Sequence, residues 1–488
     1  MSENTREIVL DTLLELERGK EYSHRLIKAV LDKYDYLDNR DKAFIKRVTE
    51  GTTERRLELD YYLNYFSSLP VRKMKPLVRC LLRMSVYQIL YMDSIPDSAV
   101  CNEACKLAVK RKFVNLKGFV NGVLRTISRQ KEKLPMPDPE KEQAEYFSVK
   151  YSMPRWITEM WLDEYGSAIT ATLLEGLLKI HPVSLRFRTG LSREEREELL
   201  EKLGEAGVRL APSPYLPYVY SGEGVENISA LPGFVEGLFT VQDVSSALAV
   251  EAAGISKKDF VMDVCAAPGG KTLLAAEKAA KVLSRDVSET KVSMIEENLR
   301  RMGLPNVTVQ VFDARFTDEA YLDQADILLL DVPCSGLGIL GKKRDIKYNA
   351  SLQAMEDIGR LQKEILEKSW RYVKPGGILL YSTCTVNRAE NEEMVRYISE
   401  NLPFDPEDLA GHLPAALLEQ REKLRGLQSQ RDCGRKEGSR KADSRQSVST
   451  KPDLAGKLTP QEAAACIQLM PGYMESDGFF IARFRRRG

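Results

Sequence analysis

Apolar positions recur three and four apart through the first 135 residues. Ile8, Leu10, Leu13, Leu14 and Leu16 mark one helical stretch, and Leu77, Leu81, Met84 and Ile89 another. Pro70, Pro76 and Pro96 punctuate the series. Leu134-Pro-Met-Pro-Asp-Pro139 breaks it, because three prolines in six residues fit neither a helix nor a central strand. Residues 141–235 then mix periods. The pattern predicts a helix over Trp156–Tyr165, a strand over Val183–Phe187, a charged helix over Arg193–Ala206 and a second strand within Tyr215–Tyr220. Pro182 to Arg188 alternates apolar and basic residues, which predicts a half-exposed strand with Arg186 and Arg188 on its open face. Phe239 to Leu248 reads as an extended segment entering a helix, with Asp243 or Ser245 as its cap.

From there to about residue 404, short apolar runs alternate with amphipathic ones. Strands are expected at 260–264, 281–285, 307–311, 326–330 and 377–382, with helices at 272–280, 289–302, 353–373 and 390–400. Such alternation implies a mostly parallel sheet covered on both faces. Residues 405–472 hold no aromatic side chain, and 421–451 carry ten basic and four acidic residues. A disordered insertion is therefore expected at about 415–460, with Cys433 an exposed thiol inside it. Gly478 to Phe484 reads as a strand returning to the sheet. The expected organisation is an all-α domain at 1–135, a small α+β segment at 141–235 and a Rossmann-like α/β domain at 236–488.

Bulk composition narrows the classes. With 43% hydrophobic and 29% charged residues, the chain reads as a soluble globular protein. No apolar run is long enough to cross a bilayer, and acidic residues interrupt the start, so neither a membrane nor a secretory role is expected. Eight cysteines without a C-x-x-C pair, and only three histidines, argue against a zinc site and against a disulfide scaffold. The expected setting is a reducing cytoplasm, with no metal. Cys101 and Cys105, four apart on one helical face, read as core fillers. Net charge is +1, but residues 103–133 hold nine Lys or Arg against two acids. That stretch is either a solvated helix face or a surface for nucleic-acid phosphates.

The chemistry centres on Asp259-Phe-Val-Met-Asp-Val-Cys-Ala-Ala-Pro-Gly-Gly-Lys-Thr272. A buried strand ends at Asp263, a turn of small residues runs from Cys265 through Ala266, Ala267, Pro268, Gly269 and Gly270 to Lys271, and a helix follows. Small residues let a ligand approach the backbone, and the helix points free N–H groups at it. The ending resembles a phosphate loop, but Cys265 stands where that loop needs glycine and Pro268 removes an N–H from it. Further acids follow successive strands: Asp286, Asp313 and Asp331. Carboxyl ends of parallel strands converge on one crevice. An acid after the second strand suits ribose hydroxyls, and one after the third an adenine amino group. The set fits S-adenosylmethionine, which has an adenosine but no phosphate.

Cys334, in Asp331-Val-Pro-Cys-Ser-Gly, and Cys384, in Tyr381-Ser-Thr-Cys-Thr, follow adjacent strands of the same edge. Two thiols without metal partners suit nucleophilic catalysis. Carbon 5 of cytosine is a poor nucleophile. A thiolate adding at carbon 6 makes an enamine whose carbon 5 attacks a sulfonium methyl group. Lys271 would supply positive charge that favours thiolate, and Asp331 would hold the base edge. The residues alone do not rank Cys334 against Cys384 as nucleophile.

The strings VQDVSS, DVCAAPGGKT, DAR, LLLDVPCSGLG, RDIKY, VKPGG, YSTCTV with ENE, and DGFFIARF resemble those of RNA cytosine-C5 methyltransferases. In front of them, Phe44-Ile-Lys46 with Glu50-Gly51, Leu81-Leu-Arg-Met84 with Tyr87-Gln-Ile89, and Phe119-Val-Asn-Gly-Val-Leu124 resemble a NusB-like helical RNA-binding domain. The combination is similar to the bacterial 16S ribosomal RNA type. The resemblance implies Cys384 as nucleophile and Cys334 as the cysteine that aids product release. It implies a methyl donor held by Cys265 to Lys271, Asp286, Asp313 and Asp331. It also implies a monomer acting on 16S RNA, free or in a partly assembled small subunit. Transfer RNA as substrate, or a non-catalytic assembly factor led by the helical domain, are the alternatives. Three features depart from the family, one of them the insertion before the last strand. Gly341-Lys-Lys-Arg344-Asp345 lacks the usual proline before the Asp, and only a short stretch separates Lys271 from Asp286, which implies a trimmed helix.

Overall fold

The computed structural model describes residues 4–19, 21–179, 182–225, 227–439 and 457–488, with side chains described outside 430–439. It divides into two compact units. One comprises Met1–Ala171 and Leu340–Asn349; the other comprises Thr172–Ile339 and Ala350–Gly488. Residues 141–235 are thus shared between them.

The first unit is helical. Its centre is the helix Pro76–Tyr91, which buries Val78, Leu81, Leu82, Met84, Val86 and Ile89 and from Leu81 to Ile89 is buried on every side, as a helix enclosed by others is. Pro76 opens it, where a missing N–H costs nothing. The helices Thr5–Glu17, Asn39–Glu54, Arg56–Phe66, Asp97–Lys110 and Lys117–Gln130 surround it. Gly51 packs directly beneath Tyr87; a Cβ there would lie 2.0 Å from the ring. Arg83 is buried in the central helix and paired with Glu17 at 2.5 Å and Asp60 at 2.6 Å. Cys101 and Cys105 are buried fillers. Much of the basic stretch is already paired: Lys110 with Glu7, Arg111 with Glu7 and Asp11, and Lys131 with Asp97.

The segment Leu340–Asn349 completes this unit. Asp345 accepts from the Ser23 N–H at 2.8 Å and from its hydroxyl at 2.7 Å. Arg344 pairs with Glu50 at 3.2 Å and Glu54 at 3.0 Å. Lys347 and Tyr348 both donate to the Glu54 carbonyl at 2.9 Å. Burial lowers the Lys347 pKa to about 7.

The second unit contains two sheets. In the smaller, β1 (Val183–Phe187), β2 (Arg209–Pro212), β3 (Val219–Glu223) and β4 (Phe239–Val241) run in the order β2-β3-β1-β4, all antiparallel. β2 was not anticipated, and β3 lies later than the expected 215–220. Arg186 is a correction. It is fully buried rather than exposed, donating to Gln242 at 2.6 Å and pairing with Glu277 at 2.6 Å. Alternation along a strand shows two faces but not which packs against something else.

The larger sheet comprises β5 (Phe260–Asp263), β6 (Lys281–Asp286), β7 (Val307–Val311), β8 (Ala325–Asp331), β9 (Val373–Thr383), β10 (Phe404–Pro406), β11 (Cys466–Leu469) and β12 (Phe479–Arg486). Its order is β10-β12-β9-β8-β5-β6-β7, with β11 also on β12. β5 to β9 are parallel, and β12 returns antiparallel to β9. The chain steps outward from β5 to β7 and then crosses back to β8, so the order reverses between β5 and β8. The crevice of such a sheet opens there, above the carboxyl ends. The helix after β5 is short, Gly270–Lys278, as its spacing required.

The expected disorder from residue 415 is also corrected: Ala415–Ser439 is helical. Leu417 and Leu424 are buried, and Arg421 and Arg425 donate to the carbonyls of Ala464 and Ala463. Two leucines seven apart were the overlooked helical signal. The expected disorder over residues 440–456 lies outside the described residues.

Candidate active site

The turn after β5 is shaped by its own backbone. The Ala266 N–H donates to the Arg285 carbonyl at 2.9 Å, and the Gly269 N–H to the Ala266 carbonyl at 2.8 Å. Gly269 sits at φ 102°, where only glycine is comfortable, and a Cβ on it would meet Ile295 at 3.2 Å. The helix that follows starts at Gly270, so its first N–H groups face the turn.

Three acids at this edge differ in their surroundings. Asp286 accepts from the Ala267 N–H and the Ser288 N–H, both at 3.2 Å, which ties the second strand end to the turn. Asp331 accepts from Lys271 at 2.7 Å and from the Ser382 hydroxyl at 2.7 Å. Asp263 is fully buried and accepts from Thr272 at 2.7 Å through one oxygen. Its other oxygen has no partner. Burial pushes its pKa up to about 7. Sequence reasoning put Asp263 at the strand end without assigning it to the site; a buried carboxylate with a free oxygen marks it.

Asp313 is engaged differently. Its carboxylate takes two bonds from the Arg315 guanidinium, at 3.0 and 2.6 Å, and this partner holds its pKa below the usual range. The third strand end reaches Asp286 instead through the backbone, the Phe312 N–H donating to the Asp286 carbonyl at 3.0 Å.

Lys271 was expected to favour a thiolate directly. Its ammonium is committed to Asp331 and lies 5.0 Å from the centre of the Phe479 ring. With that lysine neutralised, no positive side chain of the turn is left for a phosphate. The buried edge is suited instead to a cofactor that carries positive charge and hydroxyl groups.

Cys334 and Cys384 meet across the ends of β8 and β9. Their sulfurs are 3.0 Å apart, and the Cys384 N–H donates to the Cys334 sulfur at 3.3 Å. The hydrogen bond with Cys384, and burial after it, raise the Cys334 pKa well above that of an ordinary thiol. Cys265 is also pushed up, by burial, and is an inert wall of the turn.

Sheet order and crevice together define a Rossmann-like methyltransferase domain. Comparison with known proteins makes the assignment narrower. The chain belongs to the 16S rRNA methyltransferase RsmB/F family, whose pattern residues 252–408 match, while residues 3–129 match the NusB family. It is 32% identical to the "probable ribosomal RNA small subunit methyltransferase B" of Bacillus subtilis (strain 168), over 99% of each chain. It is 33% identical to the ribosomal RNA small subunit methyltransferase B of Cronobacter sakazakii, over 75% of this chain and 84% of that one. The crystal structure of PH0851 shares the fold at a TM-score of 0.73 and 23% identity, with both chains fully covered.

Proposed function

We propose that the protein transfers a methyl group from S-adenosylmethionine to carbon 5 of one cytosine in 16S RNA, with Cys384 as the covalent nucleophile. The observation that carries this reading is the 3.0 Å contact of two thiols at adjacent parallel strand ends, beside the Lys271–Asp331 pair. A protein that only binds RNA has no use for such a contact.

The turn Cys265–Lys271 and the carboxylates of Asp263, Asp286 and Asp331 would hold the cofactor. Asp286 suits the ribose hydroxyls, and the free oxygen of Asp263 suits an ammonium group. The bound cofactor supplies an electrophilic methyl group. Asp313 would recognise the adenine amino group only after releasing Arg315.

The two cysteines have unequal tasks. A raised pKa keeps Cys334 a thiol, able to donate to a Cys384 thiolate. The Cys384 sulfur bonds to carbon 6 of the cytosine, and carbon 5 then takes the methyl group. Adduct formation turns Cys384 into a neutral thioether. The negative neighbour that kept Cys334 protonated is then gone, and Cys334 gives up its own proton to solvent to become a thiolate. It accepts the carbon 5 proton, the carbon 6–sulfur bond breaks, and its electron pair returns to Cys384 as thiolate. Asp331, oriented by Lys271 and Ser382, faces the same crevice and holds the base edge.

The test uses purified protein, labelled methyl donor and unmodified 16S RNA. Label is expected at a single cytosine. Cys384→Ser abolishes it, and Cys334→Ala traps protein on RNA as a denaturant-resistant adduct. Full turnover by Cys384→Ser would overturn the assignment, and label entering only transfer RNA would reassign the substrate.

A further inference from the structure

Glu390 is 1% exposed, and four donors converge on its carboxylate. One oxygen accepts from the Ser335 hydroxyl at 2.5 Å and the Asn387 amide at 2.7 Å. The other accepts from the Ser335 N–H and the Gln362 amide, both at 2.9 Å. Gln362 uses its second amide hydrogen on the Pro333 carbonyl, also at 2.9 Å. Both neighbours of Cys334 are therefore held, directly or through Gln362, by one buried carboxylate.

The network also runs to the other cysteine, and its direction is fixed. Each hydroxyl has a single proton. Ser335 gives its proton to Glu390, so the Thr385 hydroxyl, 2.7 Å away, must donate to Ser335. Thr385 in turn accepts from the Leu337 N–H at 3.3 Å. The chain Leu337, Thr385, Ser335, Glu390 thus points one way and needs an acceptor at its end. Thr385 directly follows Cys384, and Cys384 stands one residue past the end of β9, which pairs with β8 on one side and β12 on the other. The Cys334 turn has no ladder of its own.

We infer that Glu390 is a positioning residue that holds the Cys334 turn against Cys384, and that it governs release of the covalent adduct more than its formation. The inference rests on the cysteine roles proposed above. Glu390→Gln replaces one acceptor oxygen with a donor among four donors. On one side it would face the Ser335 N–H and the Gln362 amide, neither of which can reverse without breaking the Pro333 bond or the turn. Cys384 keeps its place directly after β9, so addition to the base continues. Cys334 drifts, and the step that needs it slows.

The experiment compares full-length wild type, Glu390→Gln, Cys334→Ala, the double variant and Gln362→Met, with unmodified 16S RNA and labelled S-adenosylmethionine. Single-turnover methylation, steady-state turnover and denaturant-resistant adduct are measured together with donor affinity, which reports the folded crevice. For Glu390→Gln the expected result is turnover lower by about tenfold, first transfer within about threefold of wild type, and visible adduct. The double variant should trap no more adduct than Cys334→Ala, because both changes remove one function. Gln362→Met, which removes the Pro333 tether and leaves the carboxylate in place with three of its four donors, should show the same split if Glu390→Gln fails to fold. Wild-type turnover, or loss of first transfer without adduct, while Cys334→Ala does trap, overturns the positioning role alone. Failure of Cys334→Ala to trap overturns the cysteine assignment and this role with it.

Discussion

Gly338 and Gly478 meet backbone to backbone, the Gly478 N–H donating to the Gly338 carbonyl at 2.9 Å. A Cβ on Gly338 would lie 1.9 Å from the Gly478 oxygen. Gly338 also donates its own N–H to the Cys384 carbonyl at 3.1 Å, so this contact closes the turn that began at Cys334. Gly338→Ala is expected to cost about 1–3 kcal/mol by overpacking, read from a urea midpoint, and to lower methyl transfer as well. Gly359→Ala is the control. It lies in the helix Leu352–Ser369 with open space at its Cβ, and should stabilise by about 0.5–1 kcal/mol.

The buried Arg186–Glu277 pair should be costly to break on one side. Glu277 also accepts from the Thr189 N–H and hydroxyl, both at 2.7 Å, so its loss strands several donors. Glu277→Leu is expected to destabilise by about 3–5 kcal/mol, because the Arg186 charge stays buried without its partner. The double variant Arg186→Met with Glu277→Leu should recover much of that loss in the same denaturation experiment.

Asp263 ties stability to pH. Its folded pKa, pushed to about 7, exceeds the ordinary 3.8, so the folded state binds the extra proton between those values. The stability it contributes is fully present below about pH 3.8 and is lost as pH rises through about 7. Asp263→Asn should flatten that part of the stability profile. Because a cation in the crevice favours the ionised acid, donor affinity measured by calorimetry should rise between pH 6 and 8 in wild type, on the order of several-fold, and not in the variant.

Lys347 carries the opposite sign. Burial, opposed by the Glu54 charge, lowers its pKa from 10.5 to about 7. Its contribution to stability is present above about 10.5 and is lost as pH falls through about 7. Unfolding of the helical unit, followed by the fluorescence of its tyrosines, should therefore become harder from pH 7 to 9. Lys347→Met removes that slope. Asp345→Ala leaves the slope but lowers stability by about 1–3 kcal/mol, since both Ser23 donors lose their acceptor.

Overlooked residues share a cause with the misread ones. Glu390 was visible only as part of the string ENE, and nothing local distinguishes a carboxylate that receives four buried bonds from one in solvent. The charged stretch after residue 415 read as disorder because it lacks aromatic side chains and is rich in basic ones, Arg421 and Arg425 among them. Their targets are backbone carbonyls at Ala463, Ala464 and Cys466, which no composition window includes.

The chain by itself determined what depends on near neighbours. Helical period, the strand–helix alternation, the small-residue turn from Cys265 to Lys271 and the acids at strand ends all follow from spacing within about ten residues, where backbone geometry sets which side chains share a face. Tertiary structure alone decided which faces were covered and which distant groups met. It buried Arg186, paired Lys271 with Asp331, brought two sulfurs to 3.0 Å and joined Asp345 to Ser23 across 322 positions of sequence. Those contacts arise from packing and desolvation, whose strength depends on the partner supplied by the fold and not on the residue's place in the chain.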